Sequence, residues 1–350
     1  MPLDDGVVDL AAFGELLGGP DRDAPPSGTA PLVVVDLDSG GRPARLPEGR
    51  PSEAWRRPRP FVAVGVSRSP PAGAPLELLD VVLTDDRGSP APWVSVPDLA
   101  GELEEIRSAA SRAPRAAVAL AQVLRTGEGL PFADAVVLES LAYSTLQAGP
   151  EFARWLAGRP ACGPRPPESS VLRLERAGAE LRLVLDRPHV RNAIDAALRD
   201  ALCDGLEVAL ADPGVASVVI AGRGPDVCSG GDLREFGTAP DPATAHLLRT
   251  RRSPATLVDA LADRVTARLH GACVGAGIEI AAAAGRVLAA PGTRIWLPEL
   301  AMGLVPGAGG TVSVPRRIGR HRTAWLALTG RALDAAAAFE WGLVDAVEAG

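Results

Sequence analysis

The sequence predicts an α/β protein in which strands and helices alternate along a chain divided in two. Apolar runs of strand length recur through the 350 residues, several passing through a glycine turn into a stretch with helical spacing. A proline-rich segment, Arg159-Pro-Ala-Cys-Gly-Pro-Arg-Pro-Pro-Glu-Ser-Ser170, interrupts them near the middle. With 47% of its residues hydrophobic, the chain can fill two cores or one enlarged one. The division is therefore read as an N-terminal α/β region over 1–158, a linker over 159–170 and a second unit over 171–350.

In the first half, Pro31-Leu-Val-Val-Val-Asp-Leu37, Pro60-Phe-Val-Ala-Val-Gly-Val66 and Leu78-Leu-Asp-Val-Val-Leu-Thr84 read as short buried strands. Leu103 to Leu124 and Pro131 to Gln147 read as helices, the second with proline in its first turn. Its Val137, Leu138, Leu141, Ala142, Thr145 and Leu146 form one apolar stripe, read as ordinary core packing. Beyond the linker, Val171 to Arg176 and Glu180 to Leu185 alternate with period two around Ala177-Gly-Ala, which predicts a hairpin. Asp195 to Leu210 has helical spacing, and Val215 to Ala221 reads as a buried strand. Gly237 to Arg251 is polar and is read as an irregular, mobile segment facing a substrate. Arg264 to Leu269 leads as a strand into an alanine-rich helix.

Two acids stand out because acids inside apolar runs are costly to bury unless they titrate or pair. Glu279 lies in His270-Gly-Ala-Cys-Val-Gly-Ala-Gly-Ile-Glu279, a glycine turn that opens the alanine-rich helix. Glu299 lies in Trp296-Leu-Pro-Glu299-Leu-Ala-Met-Gly-Leu-Val-Pro-Gly-Ala-Gly-Gly-Thr311, a short strand followed by another glycine turn. Converging on one pocket, they would form a general acid/base pair. The simpler alternatives are a core arginine partner for Glu279, and an ion pair of Glu299 with Arg294 or Arg316. His270 reads as a structural, hydrogen-bonded histidine, and Asp232 as the cap of the helix that follows it. Val227-Cys-Ser-Gly-Gly-Asp-Leu233 and Gly275-Ala-Gly277 expose backbone N–H groups, the second at a helix N-terminus. Two such donors facing each other would make an oxyanion hole for a thioester or other carbonyl. Pro306 to Thr311 lacks the Gly-Lys-Ser/Thr ending of a nucleotide-phosphate loop, which excludes that reading.

Six pieces in order carry a family resemblance: Arg187-Pro-His-Val-Arg-Asn-Ala193, Cys228 to Leu233, His270 to Glu279, Pro298-Glu299, Pro306 to Thr311, and Leu328-Thr-Gly-Arg with Trp341-Gly-Leu-Val-Asp345. Residues from about 171 to 349 resemble the crotonase (enoyl-CoA hydratase/isomerase) superfamily. The resemblance implies an α/β crotonase-like spiral of ββα units and an enzyme that processes acyl-CoA thioesters. It places the oxyanion hole at the N–H groups of Gly231 and Ala276, the paired carboxylates at Glu279 and Glu299, and a water-positioning N–H at Gly307. His189, Arg191, Ser229, Gly230, Asp232 and Leu233 become the coenzyme A contacts. Ala276 replaces the middle glycine of the usual triple-glycine turn, which a negative φ tolerates. The expected reaction is hydration of a 2-enoyl-CoA or its reverse; isomerase, acyl-CoA hydrolase or lyase activity on the same scaffold, or non-catalytic acyl-CoA binding, are the alternatives. No cofactor beyond coenzyme A in the substrate, no metal, and a homo-oligomer (trimer or hexamer) are expected. Chains of this family continue past Trp-Gly-Leu-Val-Asp into helices that close the site, and Arg112 to Gly158 looks similar to that tail. The N-terminal half is accordingly read as a degenerate half-repeat with capping helices.

Composition sets the remaining expectations. The net charge of −7 argues against a nucleic-acid partner. All 36 basic residues are arginine, so a phosphate must be met by arginine or backbone. No apolar run approaches the roughly 20 residues of a membrane span, and Met-Pro-Leu-Asp-Asp is not a basic leader, so a cytoplasmic location is expected. The four cysteines, Cys162, Cys203, Cys228 and Cys273, show no metal or disulfide spacing and read as reduced, space-filling thiols.

Overall fold

The structure, a computed structural model, describes residues 7–18, 31–39, 59–160 and 170–348. Most of the proline-rich segment, with Cys162, lies outside the described residues, as does the acidic N-terminus.

The first half is built on a five-stranded sheet in chain order: β1 (Val7–Asp9), β2 (Leu32–Asp36), β3 (Val62–Ser67), β4 (Val81–Thr84) and β5 (Val94–Ser95). Every pairing is parallel. A parallel sheet buried on both faces needs apolar residues on both, which is why the strands read as unbroken valine runs. Alternate residues serve different cores. Val33, Val35, Ala63 and Val82 face a small core with Phe13, Phe61, Leu79 and Trp93. Val34, Val64, Val81 and Leu83 belong to a large core that runs on into the second half of the chain. The two halves thus share apolar interior, while helix α1 (Leu10–Gly18) packs at the β1 edge.

Helices α2 (Leu99–Arg112), α3 (Pro114–Gly127), α4 (Phe132–Gln147) and α5 (Pro150–Ala157) follow. The single helix expected over Leu103–Leu124 is two helices. Pro114 lacks the N–H that would continue α2 and instead occupies the first turn of α3. The expected stripe of α4 is also corrected. Val137 and Leu141 are exposed, whereas Phe132, Ala135, Val136, Glu139, Ser140, Tyr143, Ser144 and Leu146 are buried.

The second half holds a six-stranded sheet, with β6 (Leu172–Ala177) and β7 (Glu180–Leu185) as the expected hairpin. Next come helix α6 (Ala196–Ala211), β8 (Ser217–Gly222), the helices α7 (Pro242–Arg251) and α8 (Pro254–Ala260), and β9 (Val265–Leu269). The segment expected to be irregular over Gly237–Arg251 is corrected in its second part. Asp241 caps α7 by accepting from Thr244 N–H, and Pro242 fits the first turn. From β9 the chain steps into a small second sheet at β10 (Ala272–Val274) and turns into α9 (Ala276–Ala281). The pattern repeats with β11 (Arg286–Ala289) in the large sheet and β12 (Arg294–Trp296) in the small one. It leads through a short 3₁₀ turn, Glu299–Met302, to the helical segment α10 (Gly310–Thr329). Two strands in different sheets and then a helix make each turn of the α/β spiral, and β13 (Leu333–Asp334), α11 (Ala335–Trp341) and β14 (Ala346–Val347) close it.

α10 joins the halves. Arg320 Nη1 donates to Leu79 O at 2.6 Å, His321 Nε2 is 2.8 Å from Leu76 O, and Arg322 Nε donates to Trp93 O at 3.2 Å. Trp325 Nε1 donates to Glu102 Oε1 on α2 at 2.7 Å, and Arg331 meets Glu102 Oε2 at 2.7 Å. Burial holds His321 down to about 4, so it is a neutral donor or acceptor here, not a cation. Among the described residues no helix is long and apolar enough to cross a membrane.

Candidate active site

Two glycine-marked turns meet where the small sheet ends. Cys228 and Cys273 form an isolated parallel bridge, and Val274 N–H donates to Cys228 O at 3.0 Å. The chains leaving that bridge, Ser229-Gly-Gly231 and Gly275-Ala276, therefore emerge side by side. Gly231 N–H and Ala276 N–H have no hydrogen-bond acceptor among the described residues. For Ala276 the cause is position: it is the first residue of α9, before the helix ladder begins. Its φ is not among the positive values, whereas Gly275 has φ 48°, so the turn needs glycine at 275 and tolerates alanine at 276.

Both acids point back to this turn. Glu279, one turn into α9, is 2% exposed. Its Oε2 accepts the amides of Ala308 at 2.7 Å and Gly310 at 3.0 Å, not a core arginine. Glu299 opens the 3₁₀ turn, and its Oε2 is buried with no partner among the described residues. Arg316, one of the ion-pair alternatives, instead donates to Val312 O and Leu130 O. A Cβ on Gly275 would stand 2.5 Å from Glu299 Oε1 and 3.7 Å from Glu279 Oε1, so the two carboxylates lie well within reach of one small molecule. Burial first, and then Glu299, pushes the Glu279 carboxyl up to about 8. Burial also pushes Glu299 up to about 8. Two close buried carboxyls share protons, so their titration belongs to the pair.

A third acid enters from the first half of the chain. Glu139 on α4 is 1% exposed. It accepts from Gly309 N–H and Thr311 N–H, each at 2.7 Å, and from Thr311 Oγ1 at 2.8 Å. Burial, followed by the nearby Glu279, pushes it up to about 8 against these donors. Tyr143, one turn later, lays its ring against Gly307, and Phe236 stands 3.0 Å from a Cβ position on Gly231. Glu139 satisfies the criterion that singled out the other two acids, since it lies within Ala135-Val-Val-Leu-Glu139-Ser-Leu-Ala-Tyr143. The reading of α4 as an apolar stripe hid it.

The remaining expected residues fall in two groups. The turn carrying His189 and Arg191 is tied to the next: Ser229 N–H donates to Arg191 O at 2.9 Å, and Ile194 N–H to Gly230 O at 2.8 Å. Arg191 adopts φ 52° and is exposed, with Nε 3.5 Å from Asp226 Oδ2. These residues edge the site. Asp232 is buried and accepts from Arg234 N–H at 3.0 Å, capping a 3₁₀ turn, with Arg187 Nη2 at 4.0 Å. Leu233 is exposed, and its carbonyl accepts from Arg159 Nη1 at 2.6 Å. The Gly307 amide is directed at Glu279. His270 Nε2 lies 3.0 Å from Gly224 O, a structural contact away from the acids. Among the described residues, no group of three or more His, Cys, Asp or Glu side chains is arranged to hold a metal ion.

Gly275 offers a direct test of this packing. In Gly275→Ala the methyl would meet Glu299 Oε1 at 2.5 Å on a backbone of positive φ. We expect a stability loss of roughly 1–3 kcal/mol from the strained backbone, together with a displaced Glu299. A melting curve and a turnover assay read the two effects separately.

The family profile described as enoyl-CoA hydratase/isomerase matches residues 177–350, so Glu139 and Tyr143 lie outside it. The 2,3-dehydroadipyl-CoA hydratase of Escherichia coli (strain K12) is 34% identical over 178 residues, 51% of this chain and 69% of that protein. The enoyl-CoA isomerase/hydratase fer4 of Mycosarcoma maydis is 34% identical over 177 residues, 48% of this chain and 65% of that protein. The chain thus spans less than two-thirds of the fungal relative. Among solved structures, an enoyl-CoA hydratase from Thermoplasma volcanium GSS1 is 33% identical, covering 52% of this chain and 73% of that one, with a TM-score of 0.48.

Proposed function

We propose, from the premise that the chain belongs to the enoyl-CoA hydratase/isomerase family, that it adds water across the double bond of a 2-enoyl thioester of coenzyme A, or removes it in reverse. The observation that carries this reading is the pairing of two buried carboxyls at one turn: Glu279 and Glu299 both present Oε1 to Gly275, and Glu299 keeps an unpartnered Oε2. Both lie against Gly275, whose chain neighbour Ala276 keeps an open N–H.

The chemistry follows from those positions. The thioester oxygen takes hydrogen bonds from Gly231 N–H and Ala276 N–H, which draw electron density from the β-carbon. One such donor is typically worth about 3–4 kcal/mol of barrier. Ionised Glu279 takes a proton from water as its oxygen bonds to the β-carbon. The π electrons move into the enolate held by the two N–H groups. Protonated Glu299 then gives its proton to the α-carbon as the carbonyl re-forms. One acid must be ionised and one protonated, and two carboxyls raised together by burial meet that need near neutral pH. His189, Arg191, Ser229 and Gly230 would bind the coenzyme at the rim.

Incubating the protein with a panel of 2-enoyl-CoA thioesters and following loss of the conjugated double bond tests this reading. Consumption of at least one thioester, with the 3-hydroxyacyl product identified, is expected. No turnover of any of them ends it.

A further inference from the structure

We propose that Glu139, supplied by the N-terminal half, is a positioning residue for Glu279: by taking alternate amides of the turn that opens α10, it locks the amides that hold Glu279 and adds its own charge behind that acid. This rests on the hydration reading for its consequence in catalysis.

The geometry is an interleaved one. Along Ala308-Gly-Gly-Thr311, the first and third N–H groups go to Glu279 Oε2 at 2.7 and 3.0 Å. The second and fourth go to Glu139, both at 2.7 Å. Consecutive amides thus point to opposite sides of one helix N-terminus, whose positive end favours both anions. Neither set can shift without the other, because the turn between them is four residues long. With Oε2 held, Glu279 can only turn Oε1 towards Gly275 and Glu299, the direction in which a water would be activated. If Glu139 is removed, Gly309 and Thr311 lose their acceptor in a buried place, where an unpaired amide is costly. The turn is then free to relax, and Glu279 with it.

Charge is the second link. Glu139 is fully buried and makes no ion pair among the described residues. Glu299 from the 3₁₀ turn raises Glu279, and Glu279 in turn raises Glu139 and Tyr143 on α4 and the Cys228 thiol of the adjoining turn. Arg249 of α7 lies over the Tyr143 ring at 4.5 Å, where the charge of Glu139 reaches it. The repulsion that raises Glu139 beside Glu279 is mutual, so replacing Glu139 by a neutral group makes Glu279 a weaker base that ionises at lower pH.

The test is Glu139→Gln in the full chain, labelled with [δ-¹³C]glutamate so that the Glu279 carboxyl, identified by its disappearance in Glu279→Gln, can be titrated directly. We expect the Glu279 midpoint to fall by about one pH unit, and kcat on an enoyl-CoA to fall about 10- to 100-fold with KM little changed. The acid limb of the kcat profile should move down with the midpoint. An unmoved Glu279 midpoint with only a lower melting temperature overturns the proposal and leaves Glu139 as structural. Should Glu139→Gln not fold, Thr311→Val removes only the hydroxyl donor to Glu139. A smaller downward shift of the Glu279 midpoint then supports the proposal, and no shift overturns it. If the wild-type protein turns over no enoyl-CoA, the hydration reading fails while the carboxyl titration still decides the part played by Glu139.

Discussion

Glutamine at position 279 or 299 is expected to lower kcat by about 10²–10⁴-fold, the usual contribution of a placed proton-transfer group, while thioester binding stays nearly intact. The substitution is conservative where it needs to be. In Glu279→Gln the amide oxygen can still accept from Ala308 and Gly310 N–H, so the turn keeps its hydrogen bonds. In Glu299→Gln a neutral amide takes the place of the protonated carboxyl, whose Oε2 is buried and unpartnered. Glu279→Gln removes a buried charge and Glu299→Gln exchanges one neutral group for another, so folding stability should hold, and lost turnover reports chemistry. In the wild type, activity should fall at high pH, where the proton donor of the pair ionises, and burial moves that limb above the ordinary carboxylate range. It should also fall at low pH, where the base is protonated; each variant should lose the limb that its own carboxyl supplies. Unchanged turnover in both variants would sink the hydration reading. Loss in only one would favour an isomerase or a hydrolase.

A fragment beginning at Glu168 is expected to aggregate. Without the first half, Arg320, His321 and Arg322 lose the carbonyl partners at Leu79, Leu76 and Trp93, and Trp325 loses Glu102. The amides of Gly309 and Thr311 lose Glu139 as well. The apolar side of α10 would be bare, since it shares one core with Leu103, Ile106, Ala117, Leu120 and Leu124 of α2 and α3. Exposed patches beyond roughly a few hundred Å² are rare on monomers that stay in solution. Sedimentation and an enoyl-CoA assay on the fragment check this. A monodisperse, active fragment would show that the first half is an appended domain and that the idea of its helices closing the site is wrong.

Much of the candidate site was legible because its signals are local. Glu279 follows a glycine turn by four residues and Glu299 follows a proline, so the cost of an acid in an apolar run could be noticed without knowing the fold. Strands β2 to β4 and β6 to β9 were legible for the same reason, their valine and leucine runs being long enough to rule out loops, whereas most of the two- to four-residue strands, such as β5, β10 and β14, were too short to show. Two helices were misread although their signals were present: Pro114 breaks the long helix, and Asp241-Pro242 starts α7 inside a polar stretch. Tertiary structure alone decided the rest. Periodicity reports where apolar side chains lie on a helix, but burial depends on what packs against it. On α4 the packed face meets the amides of α10 and Arg249 of α7, so Glu139, Ser140 and Ser144 are inside while Val137 and Leu141 are outside. A contact between residues 170 positions apart, such as Glu139 with Gly309, leaves no local trace in composition or spacing. Only the fold, by closing the first half over the start of α10, brings the third acid to the other two.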